Sequence, residues 1–153
     1  MKDVNIYICT EYTGSLRTGT GKYHVILEYM AKTRRGEEPA TLKEIAICED
    51  ITRNRLELLA LVRGMEHLTV PCRICIHTAS EYVTMAFHNS WIEKWSQNNF
   101  CSKNKPIKHA DLWQDVAAKM KIHDISVTRE ERTSYTGAQR TELKNYKKKR
   151  RGL

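Results

Sequence analysis

The chain has 153 residues, 41% of them hydrophobic, which is enough for one globular domain with a single core and excludes an intrinsically disordered chain. Its formal net charge of +8 at neutral pH suits a polyanionic partner, although such a charge also favours solubility. No apolar run approaches membrane-spanning length, and the N-terminal residues lack the apolar region of a signal peptide. We therefore expect a cytoplasmic protein with no membrane partner.

The chain contains five cysteines, an odd number, and most of them fall inside apolar, strand-like runs. Cys72 and Cys75 have a zinc-like spacing, but no second pair of Cys or His residues accompanies them. An odd separation along a strand also sends two side chains to opposite faces. We therefore expect reduced cysteines without a zinc site, as in a cytosolic protein.

Five stretches rich in β-branched and aromatic residues predict β-strands, each bounded by turn-forming residues. They are residues 4–10, 22–33, 41–48, 72–78 and 123–128. The glycine-rich segment 14–21 predicts a hairpin between the first two strands. A second turn, at residues 34–40, leads into the third strand.

Apolar residues at helical spacing predict five helices, and Thr52 and Ser80 are the expected N-caps of the first two. They are residues 52–68, 80–87, 90–97, 109–121 and 137–149. A basic loop over residues 98–108 separates the third helix from the fourth. The element order β-β-β-α-β-α-α-α-β-α predicts an α/β domain over residues 1–146, with a mixed five-stranded sheet and helices on both faces. A basic C-terminal tail follows at residues 147–153.

Glu57 interrupts the apolar face of the first predicted helix. A carboxylate in such a position is costly to bury unless a positive group, for instance a metal ion, lies against it. The alternative is that Glu57 points to solvent at the edge of the apolar face, as most helical glutamates do.

Several segments around this helix form an ordered set of motifs. Residues 52–58 read Thr-Arg-Asn-Arg-Leu-Glu-Leu, and residues 78–83 read Thr-Ala-Ser-Glu-Tyr-Val. Segments 91–95 and 105–113 combine tryptophans with basic residues. Over residues 4–146 the chain resembles the bacterial type I ribonuclease H family, which has Thr-x-Asn-Arg-x-Glu-Leu, Thr-Asp-Ser-x-Tyr-Val and a basic handle segment. The resemblance implies a ribonuclease H-like fold with the element order predicted above.

That family cuts the RNA strand of an RNA–DNA hybrid with two metal ions held by four carboxylates, so the resemblance implies where such ligands would lie here. Glu57 matches one of them. The first-strand position falls at Glu11, or at Cys9 if the register is shifted by two residues. The other two carboxylates are replaced by Ala79 and Thr141. We therefore predict Glu11 and Glu57 as the remaining catalytic and metal-ligating residues, with Mg²⁺ or Mn²⁺ bound weakly if at all.

The resemblance also places Asn54 where the family reads the RNA minor groove, in which the 2′-hydroxyls are exposed. The hydroxyls of Thr52 and Ser80 are candidates for bonds to phosphate or sugar oxygens. Trp91 and Trp95, four residues apart on one helix face, either line a nucleic-acid groove or pack the short helix onto the core. The lysines around them are Lys94, Lys103, Lys105 and Lys108.

We predict a ribonuclease H-like domain that binds RNA–DNA hybrid or duplex nucleic acid and is catalytically weak or inactive, because two of four ligand positions are lost. Whether the chain is an enzyme stays open. One alternative is an active metal-dependent endoribonuclease with a site rebuilt from Glu11, Glu57, Glu81 and Glu142. Another is a protein-interaction module that keeps only the fold. The six basic residues between positions 144 and 151 are either a phosphate-binding arm or a solvated helix end.

Overall fold

A mixed five-stranded sheet forms the centre of the protein, whose structure is a computed structural model that describes residues 1–147. The strands in chain order are β1 (Lys2–Gly14), β2 (Gly19–Thr33), β3 (Gly36–Ile51), β4 (Cys72–Thr78), β5 (Cys101–Ser102), β6 (Lys105–Pro106) and β7 (Asp124–Arg129). The sheet has the order β3-β2-β1-β4-β7, and β5 and β6 form a separate small hairpin. β1 is antiparallel to β2 and parallel to β4. The sheet is therefore mixed, as predicted.

Five helices accompany the strands in the described part of the chain. They are α1 (Arg53–Glu66), α2 (Glu81–His88), α3 (Trp91–Gln97), α4 (Ala110–Met120) and α5 (Thr136–Asn145). The predicted element order is confirmed, except that the basic loop 98–108 contains the β5–β6 hairpin. Of the predicted basic tail, residues 148–153 lie outside the described residues.

The first three strands are longer than predicted. The β2–β3 ladder continues from the Tyr29–Ala40 pair to the Thr33–Gly36 pair, through residues expected to form a turn. Backbone hydrogen bonds can extend an antiparallel pair through polar side chains, which carry no hydrophobic alternation to reveal the strand. Within residues 1–147, no helix is both long and apolar enough to cross a membrane.

Both predicted N-caps are confirmed, and they fix where α1 and α2 begin. Thr52 Oγ1 accepts a hydrogen bond from the backbone N–H of Arg55 at 3.2 Å. Ser80 Oγ accepts one from the backbone N–H of Val83 at 3.1 Å. Gly64 lets α1 lie close to the sheet, since a Cβ there would come within 3.0 Å of Val25 Cγ1. The end of α1 is thereby held against the sheet.

The helices cover the sheet unequally. Side chains from α1 to α4 join one hydrophobic cluster with β1, β2 and β4, in which Leu61, Ile76 and Trp113 are completely buried. On the other face α5 packs on β1 and β2, where the Gln139 amide donates to Tyr7 O at 3.0 Å. The parallel strands β1 and β4 end at the same edge of the sheet, the edge at which open α/β sheets bind ligands.

Candidate functional site

A cleft of about 700 Å³ opens where β1 and β4 end. Cys9 of β1, Glu57 of α1, Ala79 after β4 and Arg140 of α5 all line it. Four segments that are distant in sequence therefore meet at one place. The parallel strands β1 and β4 end at the same edge of the sheet, and α1 and α5 lie beside that edge.

Glu57 is half-buried and lines this cleft, which favours the buried carboxylate over the solvated alternative. Burial raises the pKa of its carboxyl, and a hydrogen bond from Thr10 together with the positive charge of Arg53 opposes that rise. The Thr10 hydroxyl donates to Glu57 Oε1. The carboxylate is thus desolvated while only partly compensated, which makes it costly for folding.

Replacing Glu57 by glutamine should stabilise the protein at neutral pH. Because the folded-state pKa is raised, the penalty is complete above that pKa and vanishes below the ordinary glutamate pKa of about 4.3. At pH 8 we expect Glu57→Gln to have a higher melting temperature than wild type, by ~2–4 °C for each kcal/mol gained in the free energy of unfolding. Near pH 4 the two melting temperatures should be the same. Glu81→Gln, at the exposed rim, is the control and should not shift the midpoint. A lower midpoint for Glu57→Gln at pH 8 would contradict this account.

The β1 position in the cleft belongs to Cys9 and not to Glu11. Burial raises the pKa of the Cys9 thiol, and the charge and a hydrogen bond of Arg140 oppose that rise. Glu11 shares the same strand face but lies two residues farther along, roughly 6.6 Å. Its side chain is 47% exposed and 3.9 Å from Lys22 Nζ. Of the two predicted registers, the structure therefore places Cys9 in the cleft that Glu57 lines and leaves Glu11 outside it.

The α5 side chain that lines the cleft is Arg140 and not Thr141, the position that the resemblance indicated. Thr141 is exposed, and its hydroxyl donates to Gly137 O at 3.1 Å. Thr136, one turn before Arg140, also lines the cleft, so this face of α5 is the one turned toward Glu57. The rotation of α5 is fixed by Gln139, which is buried and bonded to Tyr7 O. α5 has few apolar residues, and its sequence therefore shows no clear inward face.

The four glutamates of the rebuilt-site alternative are not brought together. Glu57 and Glu81 line the cleft, whereas Glu11 does not. Glu142 is bound to His24 Nε2 and lies 3.0 Å from Lys43 Nζ. Hydrogen bonds from these two residues lower the pKa of the Glu142 carboxyl. An active site assembled from this set is therefore not supported by the geometry.

Two further acidic residues line the cleft on the loop after β7, and sequence reasoning gave them no role. Glu130 lies 2.7 Å from His77 Nδ1, and Glu131 lies 3.6 Å from Arg129. Both carboxylates thus have local basic partners. The only sequence indication was their place in the polar loop before the last helix.

A second groove adjoins the cleft along the start of α1. Asn54 lines both, and Thr52 and Lys108 line the groove alone. Ser80 lines the cleft but is buried, with its hydroxyl used as the α2 cap. Asn54 is exposed, so its amide is accessible to a ligand that lies across the cleft and the groove.

The two predicted groove tryptophans have different surroundings. Trp91 lines the cleft and is partly exposed. The Trp95 ring lies between Trp91 and the fully buried Trp113, at centroid distances of 6.0 and 5.2 Å. Trp95 therefore packs α3 onto α4, and Trp91 is the one available to a ligand. The lysines around them are all exposed: Lys94, Lys103, Lys105 and Lys108.

An ion pair that the sequence analysis missed joins the start of α1 to α4. The Arg55 guanidinium donates to both carboxylate oxygens of Asp111, at 2.7 and 3.1 Å. These hydrogen bonds lower the pKa of the Asp111 carboxyl. The pair holds the basic segment before α4 beside the groove, and its 56-residue separation leaves no local sequence signal.

Comparisons with known proteins agree on one family. The RNase H family model matches residues 3–131. The chain is 34% identical over 128 residues to the ribonuclease H of Caldicellulosiruptor saccharolyticus, covering 82% of this chain and 80% of that protein. The chain belongs to the ribonuclease H family.

Solved structures of the family share the fold. LC9-RNase H1, a type 1 RNase H with the type 2 active-site motif, superposes with a TM-score of 0.73 over 94% of this chain and 72% of that chain, at 19% identity. LC11-RNase H1, solved in complex with RNA/DNA hybrid, gives a TM-score of 0.56 at 17% identity, over 90% and 93% of the two chains. The predicted ribonuclease H-like fold is confirmed.

The cleft residues do not fit the two-metal centre of the family. Cys9 supplies a thiol, Ala79 has no donor atom and Arg140 brings a positive charge, leaving Glu57 as the one carboxylate among these positions. Mg²⁺ and Mn²⁺ require several hard oxygen ligands. Across residues 1–147, no three His, Cys, Asp or Glu side chains are grouped so that they could hold a metal ion.

Proposed function

We propose that this chain binds RNA–DNA hybrid or duplex nucleic acid and cuts it weakly or not at all. One observation carries the proposal: Arg140 projects its positive charge into the cleft where the family's metal ligands would converge, with Glu57 as the remaining carboxylate at those positions. Mg²⁺ or Mn²⁺ would accordingly bind weakly if at all. The free cysteines of the described chain suit a reducing compartment, and we place the protein in the cytoplasm.

Nucleic acid as the partner is supported by the groove and its charge. LC11-RNase H1 has been solved with an RNA/DNA hybrid, and this chain shares its fold. The exposed Asn54 amide can reach 2′-hydroxyls in a minor groove, and Lys108 beside it can neutralise a phosphate. Trp91 offers a ring on which a base or sugar can pack.

The test combines binding with cleavage on the same labelled substrate. Fluorescence anisotropy with a hybrid, a DNA duplex and a single strand should show binding of double-stranded forms at low salt. Incubation of the hybrid with Mg²⁺ or Mn²⁺ should give no cleavage above the Glu57→Gln control. Robust wild-type cleavage that Glu57→Gln abolishes would establish the nuclease alternative. Absence of binding to any nucleic acid at low salt would favour the protein-interaction alternative.

Two variants should separate nonspecific attraction from recognition. Truncation after Asn145 removes five basic residues, Lys147 to Arg151, of which residues 148–151 lie outside the described chain. Each neutralised phosphate contributes about 0.9 to the log–log salt slope on duplex DNA, so the slope should fall by a few units. Preference for hybrid over DNA duplex should persist in this variant.

Asn54→Ala should behave in the opposite way. It should erode the preference for hybrid, because that preference depends on contact with 2′-hydroxyls, and leave the salt slope nearly unchanged. Salt titrations of both variants against hybrid and DNA duplex give the measurement. Equal, salt-insensitive binding by wild type and the truncated chain would contradict the role assigned to the tail.

A further inference from the structure

Arg140 is a cation in the cleft that no acidic side chain neutralises. Within residues 1–147 its guanidinium forms no ion pair with a carboxylate, and it shares the cleft with the Cys9 thiol, whose pKa its charge lowers. The positive charge that acts on the buried Glu57 carboxylate comes from Arg53 instead. Arg140 is therefore not present to balance the buried carboxylate.

The acidic side chains on the loop after β7 already have basic partners, whereas Arg140 has no acidic partner. Glu130 is bound by His77, and Glu131 lies beside Arg129. Glu81 is exposed at the rim, where water and salt screen its charge. An anion that enters the cleft therefore meets Arg140 with its hydrogen-bond donors still available.

The surroundings of Arg140 suit a phosphate group. A guanidinium presents a planar fork of N–H donors that matches two phosphate oxygens, and such charge-assisted bonds are strong. Arg53 on another wall of the cleft adds a second positive charge, with its guanidinium 5.1 Å from the ring centroid of Tyr12. Asn54 follows Arg53 and lines both the cleft and the adjoining groove. A strand that lies along Asn54 would bring its backbone within reach of this pair of arginines.

We propose that Arg140 binds a backbone phosphate of the nucleic acid directly, so that the cleft holds the strand without divalent cations. This inference rests on the proposed nucleic-acid-binding function. It assigns to the Arg140 guanidinium the contact with phosphate that the metal ions make in the family. A guanidinium can position a phosphate, but it supplies no activated water, so the same substitution explains binding without efficient cleavage.

Binding titrations at several salt concentrations test the inference, with labelled RNA–DNA hybrid as the probe in Mg²⁺ and in EDTA. Wild-type binding should not require Mg²⁺, so the affinity in EDTA should be at least as high as in Mg²⁺, which competes for the phosphates as a counterion. Arg140→Gln should weaken binding about tenfold, the effect of losing one charge-assisted contact, and lower the salt slope by about 0.9. Arg140→Lys should keep the slope and lose part of the affinity, because lysine cannot form the bidentate contact.

Arg73→Gln is the matched control, since Arg73 is an exposed arginine near the start of β4, at the opposite end of the sheet from the cleft. It should leave affinity and slope near wild type. Hybrid binding that Arg140→Gln alters no more than Arg73→Gln, or that requires Mg²⁺, would overturn the inference while leaving the proposed function intact. Failure of the wild type to bind any nucleic acid would overturn both. Arg140 is exposed on its helix and glutamine is a good helix former, so the variant should fold.

Discussion

Replacing Cys9, Ala79 and Arg140 together by aspartate should produce a Mg²⁺-dependent nuclease that cuts RNA–DNA hybrid at least about a hundredfold faster than wild type. This factor is at the lower end of the rate change that one well-placed catalytic group produces. The three side chains line one cleft with Glu57, so the variant would bring four carboxylates together. Such a cluster repels itself unless cations bind. Mg²⁺ should therefore also raise the melting temperature of the variant, a readout that does not depend on activity.

The matched control moves one carboxylate by a single helix position. The variant with aspartate at Cys9, Ala79 and Thr141 has the same number of new carboxylates, but Thr141 is exposed and turned away from the cleft, and Arg140 stays in place. It should remain inactive and show a smaller stabilisation by Mg²⁺. Equal activity of the two variants would mean that α5 is rotated relative to the arrangement described above.

Only part of the site could be predicted, because the sequence around some of its positions shows a clear pattern and the sequence around others does not. Glu57 stands in a helix with a clear apolar pattern that begins after the capping Thr52, so its element was readable, whereas the direction of its side chain was indicated only by the family resemblance. Thr141 was predicted from the family motif, whereas the α5 side chain that lines the cleft is Arg140. The sequence of α5 is mostly polar and does not show which face is turned inward, because the rotation of the helix depends on the long-range bond from Gln139 to Tyr7. Sequence spacing could not distinguish Glu11 from Cys9, since both lie on the same face of β1.

The fold was more predictable than the site, because hydrophobic periodicity and turn residues report on elements directly. Two features were missed for physical reasons. The β5–β6 hairpin within residues 98–108 is only two residues per strand, too short for an alternating pattern. The Arg55–Asp111 ion pair joins two helices whose separate sequences give no reason to expect contact.

The tryptophans show how packing and binding can be separated by experiment. Trp113→Ala should lower the free energy of unfolding by ~3–5 kcal/mol, because deleting the fully buried indole leaves a cavity and removes the Nε1–H that donates to Tyr82 Oη at 2.9 Å. Trp91→Ala should cost no more than ~1 kcal/mol, since its ring is partly exposed at the cleft. Denaturant titration measures both.

Hybrid binding should depend on Trp91 and not on Trp113, which a comparison of Trp91→Ala with Trp113→Phe tests. Trp91→Ala removes a surface on which a base can stack, worth about 1–3 kcal/mol per base, and should weaken binding at least about fivefold. Trp113→Phe keeps an aromatic ring in the core, loses the hydrogen bond to Tyr82, and should bind like wild type. If Trp91→Ala binds normally but destabilises the protein as much as Trp113→Ala, then Trp91 belongs to the core. The cleft would in that case contact nucleic acid through its polar and basic residues alone.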